Sequence, residues 1–189
     1  MVTTLDKNTA LVIIDLQNGI AALPVASPAT AIIANAARLA SAFQQAGLPV
    51  VAVNVNPSGA AWTKTRKEAQ QPQAGPMSED WFKLVPEIAT IPGNIYITKQ
   101  SWSAFFNTQL HDELQQLNVT QIVLAGISTS IGVEGTARDA SRLGYNIAFA
   151  GDAMTDMFAD AHAHSMKYIF PRIGEIDTTD KILAKLSER

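Results

Sequence analysis

An acid, an amine and a run of small residues stand in this sequence where β-type segments stop. Asp15 follows four apolar residues in Leu11–Asn18 (LVIIDLQN). A carboxyl directly after a buried strand is partly desolvated, which raises its pKa unless a cation or hydrogen bond compensates. Such a carboxyl can hold a proton near neutrality and deliver it. A carboxylate that caps a helix or fixes a turn is an equally weighted reading of the same residue. Lys99 follows the segment Asn94–Thr98 (NIYIT) and is the candidate compensating cation; solvation at a strand end is the commoner fate of a lysine. Gly126–Ala140 (GISTSIGVEGTARDA) is a strand-to-helix turn of small residues. Backbone N–H groups at the start of a helix can stabilise an anion, while helix capping accounts for Ser128 or Thr129 taken singly.

These residues need a frame that brings them together. Strand candidates are Ala10–Ile14, Pro49–Val55, Asn94–Thr98, Gln121–Ala125, Tyr145–Ala150 and a short piece near Arg172–Glu175. The first, second and fourth are nearly continuous apolar runs, the pattern of strands covered on both faces and so of a parallel sheet. Helical segments fall between them: Thr30–Ala46, Phe105–Leu117, Thr129–Leu143, Asp160–Ile169 and Thr179–Leu186. The alternation predicts a doubly wound three-layer α/β/α sandwich with a mostly parallel six-stranded sheet, one domain over residues 1–189. Ligands of such sheets bind outside the carboxyl ends of the strands. If the first, third and fourth strands are close, Asp15, Lys99 and the small-residue turn share one cleft. The stretch Asn56–Asp80, with Pro57, Gly59, Pro72, Gly75 and Pro76, breaks the rhythm and is expected to overhang that edge, as a lid, a binding loop or a disordered segment.

Composition narrows the chemistry. The net charge is −3, from 14 basic and 17 acidic residues, and no basic excess points to nucleic acid. No apolar run is long enough to span a membrane, and with no signal-peptide stretch a cytoplasmic protein is expected. There is no cysteine, so thiolate catalysis, thiolate metal sites and disulfides are excluded. His162 and His164 stand two apart on a helix, point in different directions and are expected to be solvated, while His111 begins a helix face and is unremarkable. No metal and no cofactor are expected.

Three blocks give the chain a resemblance: Leu11–Gly19 (LVIIDLQNG), Ile97–Leu110 (ITKQSWSAFFNTQL) and Val123–Asp156 (VLAGISTSIGVEGTARDASRLGYNIAFAGDAMTD). In order and spacing they resemble the isochorismatase-like hydrolases. The resemblance implies that Asp15 is the catalytic aspartate, that Lys99 is the family lysine, and that Val123–Asp156 holds the nucleophile elbow. It also implies a cis peptide at Ile127–Ser128. The common branch carries its cysteine nucleophile three residues after the elbow threonine. Counted from Thr129 that position is Gly132, so thioester chemistry is not expected. The resemblance leaves a hydrolase of the vinyl-ether type, in which the aspartate donates a proton and water then attacks, with ester and amide substrates also open. Isochorismatases usually place a tyrosine and a histidine where this turn has Ser128-Thr129-Ser130, and only Arg66, with Lys64 and Lys67 near it, is available to bind a carboxylate.

The expectation is a cysteine-free hydrolase of a small molecule, with Asp15 and Lys99 catalytic, Gly132 at the nucleophile position, and Gln17, Trp102, Ile127, Ser128 and Thr129 touching substrate. A silent small-molecule-binding protein or an oligomeric scaffold of the same fold are the alternatives. Asp152 is expected to cap the following turn, and Arg138 and Asp139 to serve an ion pair within or between subunits. A homo-oligomer, dimer or larger, is expected.

Overall fold

The structure is a computed structural model that describes residues 1–68 and 77–188. Six strands form one sheet: β1 (Thr9–Ile14), β2 (Val50–Val55), β3 (Ile95–Lys99), β4 (Gln121–Ile127), β5 (Asn146–Thr155) and β6 (Glu175–Asp177). Their order is β3-β2-β1-β4-β5-β6, and every neighbouring pair is parallel. The helices are α1 (Asn18–Ala21), α2 (Ala29–Gln45), α3 (Pro86–Ala89), α4 (Leu110–Gln116), α5 (Glu134–Arg142), α6 (Ala159–His164) and α7 (Thr179–Ser187).

The alternation of side chains along β1 explains the three layers. Leu11 and Ile13 face a core shared with Leu39 and Phe43 of α2 and Ile182 of α7. Ala10, Val12 and Ile14 face the opposite core, with Leu114 of α4, Ala137 of α5 and Phe149 stacked on Phe170. A strand with apolar neighbours on both sides has to be apolar at every position, and β1 is buried throughout.

Four elements differ from the sequence expectation. Phe105–Leu117 is helical only from Leu110, because Asn107 takes a positive φ of 54° and the chain before it is irregular. Thr129–Leu143 begins as a π-helical turn over Thr129–Val133 before α5, and Asp160–Ile169 likewise passes from α6 into a π-helical turn over Ser165–Ile169. β5 runs five residues beyond Ala150. The β4–β5 register shifts between Leu124 and Gly126, and the strand resumes as Gly126↔Met154 and Ile127↔Thr155. The tip of β5 is therefore followed by Asp156, not Asp152. Part of Asn56–Asp80, residues 69–76, lies outside the described residues, and with it the lid expectation. The flanks hold short 3-10 turns at Ala61–Lys64 and Glu79–Phe82.

Candidate active site

From β1 the chain steps to β2 and β3 on one side, then returns to β4 on the other, so β1 and β4 flank the point where the winding reverses. Open α/β sheets bind ligands at that point. Asp15 leaves β1 there with φ 52°, a left-handed conformation that aspartate tolerates better than most residues. Its N–H donates to the Val53 carbonyl at 2.9 Å. Beside it, Gly126 has φ 122°, and a Cβ there would collide with the Ile14 backbone. Only glycine allows β1 and β4 to approach that closely.

Lys99 reaches Asp15 across β2. The register sets Lys99 opposite Val55, and Ile14 opposite Val53. Two sheet spacings are about 10 Å, a span the long lysine side chain helps to bridge. The Lys99 Nζ lies 2.7 Å from Asp15 Oδ2, and also donates to the Ser101 carbonyl at 3.0 Å. The pair is deeply buried, with Asp15 5% and Lys99 2% exposed. Asp15 Oδ1 is buried and has no hydrogen-bond partner among the described residues. Burial pushes the Asp15 carboxyl up, and the charge and hydrogen bond of Lys99 pull it back, leaving it at about 6. Asp15 can therefore exist in both protonation states close to neutrality, with the free oxygen as the one able to exchange a proton.

Gly132 closes over the pair. A Cβ at this position would stand 2.9 Å from Ile14 Cγ2, 3.1 Å from Asp15 Oδ2 and 3.6 Å from Lys99 Nζ. The position thus faces both ionisable groups and holds no side-chain nucleophile. The Ile127–Ser128 peptide is cis. Ile127 is buried and Ser128 half-buried.

The remaining candidates have varied surroundings. Gln17 is fully buried. Its Oε1 accepts from Val55 N at 2.8 Å, and its Nε2 donates to the Val55 and Trp81 carbonyls at 3.2 Å each. Its amide ties β2 to the Glu79–Phe82 turn. Trp81 in turn packs on Gly19, where no side chain would fit. Thr129 is also fully buried, and its hydroxyl pairs with His162 Nδ1 at 2.8 Å. Trp102 is 56% exposed and walls a neighbouring cleft.

His162 departs from the solvated state expected of it: it is half-buried, and burial lowers its pKa although the charge of Asp156 opposes the shift. His164 is exposed beside Tyr168. His111 is half-buried, with Nδ1 2.9 Å from the Tyr145 hydroxyl. Asp152 accepts from the N–H and hydroxyl of Thr179, at 2.6 and 2.8 Å, and so caps α7 instead of its own turn. Arg138 pairs with Glu134 at 2.8 Å, and Asp139 with Arg142 at 2.9 Å.

The residue that sequence reasoning missed is Asp156. It is buried. Oδ2 accepts from the Ser130 N–H at 2.7 Å and the Ser130 hydroxyl at 2.8 Å, while Oδ1 accepts from Phe158 N at 3.3 Å. Together with the Thr129–His162 contact, it anchors the turn after β4 to the segment after β5. A strand that continues past a glycine and an aspartate gives no local signal of doing so. Among the described residues no group of three or more His, Asp or Glu is placed to hold a metal, and no helix is long and apolar enough to cross a membrane.

A parallel α/β/α sandwich with a buried acid–amine pair at the switch point defines a class, and comparison with known proteins names it. The isochorismatase domain family matches residues 9–181. An uncharacterized isochorismatase family protein of Bacillus subtilis, YwoC, is 38% identical over 182 residues, covering 95% of each chain. The isochorismatase of the same organism is 30% identical over 188 residues, covering 96% of this chain and 59% of its own length. A solved isochorismatase family protein from Burkholderia thailandensis superposes with a TM-score of 0.89 at 35% identity, over 97% of this chain and 98% of that one. The chain belongs to the isochorismatase family.

Proposed function

We propose that this protein is a hydrolase of a small vinyl ether, ester or amide, working through Asp15 and Lys99 without a thioester intermediate. The observation that carries this reading is the buried Asp15 carboxyl, held at about 6 with one oxygen on Lys99 and the other unpartnered among the described residues. A structural ion pair is favourable when its remaining lone pairs are also satisfied; this one leaves a buried acceptor without a donor among the described residues, which suits a group that holds a proton for the reaction.

In the vinyl-ether route the protonated Asp15 gives its proton from Oδ1 to the substrate carbon. Lys99 stabilises the carboxylate left behind; water attacks the oxocarbenium ion formed on the substrate and gives a proton back to Asp15, and the resulting hemiketal collapses by breaking its C–O bond to release the alcohol and a carbonyl product. For an ester or amide, the ionised form of Asp15 instead takes a proton from the attacking water and passes it to the alcohol or amine that leaves as the tetrahedral intermediate collapses. With no cysteine in the chain and glycine at 132, neither route passes through a covalent bond to sulfur. Support from relatives is of the same kind, since the Bacillus subtilis isochorismatase matches nearly the whole of this chain.

Turnover of a panel of vinyl ethers, esters and amides, isochorismate included, by wild type and by Asp15→Ala tests the proposal. General acid–base groups contribute about 10²–10⁴-fold, and a loss of that order on at least one compound is expected. Equal behaviour of the two proteins on every compound would leave a binding protein of the same fold.

A further inference from the structure

Two open spaces adjoin one another beside Ser101. One has a volume of about 670 Å³ and the other about 420 Å³, and they share Trp62, Ser101 and Phe106. Volumes of this size suit a small organic ligand. Neither Asp15 nor Lys99 is among the residues that line them. The walls are largely aromatic: Trp62 is half-buried, and Trp102 and Phe106 are exposed. The Trp62 indole N–H donates to the Gln100 carbonyl, which fixes the ring in place. A flat ring gains apolar and stacking contact from such walls.

The charge of the cleft comes from Lys67, on the smaller space. Its ammonium has three protons to give. It donates to the Trp62 carbonyl at 2.7 Å and to the Thr65 carbonyl at 3.4 Å, and stands 5.2 Å from the centre of the Trp62 indole. These partners are all neutral, and among the described residues the ammonium meets no carboxylate. The local sequence supplies few acids: Lys64, Arg66 and Lys67 stand against Glu68, and the next acid along the chain is Glu79. A basic segment in a chain of net charge −3 concentrates anions near itself. Asp139, the acid on the smaller space, is engaged by Arg142 at 2.9 Å. A neutral molecule in this cleft would use the aromatic walls and leave the Lys67 charge unmatched. A flat anion uses both, since its carboxylate can take the remaining ammonium proton in a charge-assisted hydrogen bond.

We propose that this cleft is a binding site for a small aromatic carboxylate, with the ring against Trp62 and Phe106 and the carboxylate on the Lys67 ammonium. The site is distinct from the acid–amine pair, and binding there does not depend on the hydrolase reading above.

Isothermal titration on the full chain at pH 7.5 tests it with two matched pairs of probes, phenylacetate with phenylacetamide and indole-3-acetate with indole-3-acetamide. Each carboxylate should bind about fivefold more tightly than its amide, the order of a partly exposed ion pair. That preference should disappear in Lys67→Met, persist in Lys67→Arg, and shrink as ionic strength rises from about 0.02 M to about 0.5 M. Trp62→Ala should weaken both members of each pair about tenfold and Trp62→Phe should restore most of the loss, with thermal melts confirming that the variants fold. Asp15→Asn should bind the carboxylates as wild type does. Equal or tighter binding of the amides, a carboxylate preference that survives Lys67→Met, or indifference to Trp62→Ala in a folded variant would overturn the proposal. So would a large change of carboxylate affinity in Asp15→Asn, which would put the ligand on the acid–amine pair. A dimer in sedimentation that dissociates in Phe106→Ala would also overturn it, since the face would then belong to a second copy of the chain. Carboxylate binding that is intact in a protein without turnover separates a failure of the hydrolase reading from a failure of this one.

Discussion

Asp15 and Asp177 are both buried carboxylates at the carboxyl ends of strands, and the fold treats them in opposite ways. Asp177 ends β6 and meets three donors: Val2 N–H at 3.0 Å, Thr178 N–H at 3.0 Å and the Lys181 ammonium at 3.2 Å. Burial pushes its pKa up, but those donors outweigh burial and hold it below the ordinary aspartate value. Among the described residues Asp15 has one donor, Lys99, and one oxygen with none, and burial wins. A carboxylate with all its acceptors satisfied serves as a fastener for the N-terminus and α7. One left short of donors keeps a proton available. Fewer donors and deeper burial together separate chemistry from structure here.

Removing the single donor from Asp15 should give the largest effect. Lys99→Met leaves an uncompensated buried carboxyl, and breaking a buried pair in this way costs about 3–5 kcal/mol; urea unfolding at pH 7.5 measures it. Because Lys99 lowers the Asp15 pKa, the variant should hold the Asp15 proton to a pH above the wild-type value of about 6. If Asp15 is the proton donor, kcat/KM falls as pH rises through that pKa. The falling limb then moves to higher pH in Lys99→Met, and a limb that stays in place would sever Asp15 from the reaction.

The pH dependence of stability sharpens the contrast, since the two residues carry opposite signs. Asp15 has a folded pKa above its unfolded 3.8, so the native state binds the extra proton. Its contribution is full below about pH 4 and is lost as pH rises to about 6. Asp177 has a folded pKa below 3.8. Its contribution is present above that value and is lost as pH falls through the folded pKa. Urea midpoints between pH 3 and pH 8 should show the first slope vanish in Asp15→Asn and the second in Asp177→Asn. Each variant altering the other's window would dissolve the distinction.

At constant pH 7.5, Asp177→Asn should cost about 1.5–3 kcal/mol, the order of a hydrogen bond to a charged group. The exposed Lys181 adds little of this, because surface ion pairs are weak. The smallest effect expected is that of His162→Phe, about 1 kcal/mol from the lost Thr129 hydrogen bond, read as a shift in thermal midpoint. A drop well beyond that would show the His162 contact, together with Asp156, to be the main support of the turn after β4.

Local sequence carried the strands well and their ends poorly. Four buried apolar positions in β1 allow hardly any other element, and Gly144 does stop a helix one residue after Leu143. The far half of β5 was invisible because Gly151 and Asp152 look like a turn, while the register shift against β4 that carries the strand through them is a property of two chains side by side. Gln17 shows the same limit. Its position after Asp15 suggested a ligand contact, but the partners of its amide, Val55 and Trp81, arrive from distant segments.

The sequence alone determined that no thiol is present, that position 132 has no side chain, and that an acid and an amine follow two strands. These are statements about residue type, and no folding event can change them. Tertiary structure decided that Lys99 reaches over β2 to Asp15 and that, among the described residues, Oδ1 is left without a donor. Those depend on strand order and register, which fix distances between residues far apart in the chain, and a carboxyl's pKa responds to distance and solvent, not to its neighbours in sequence.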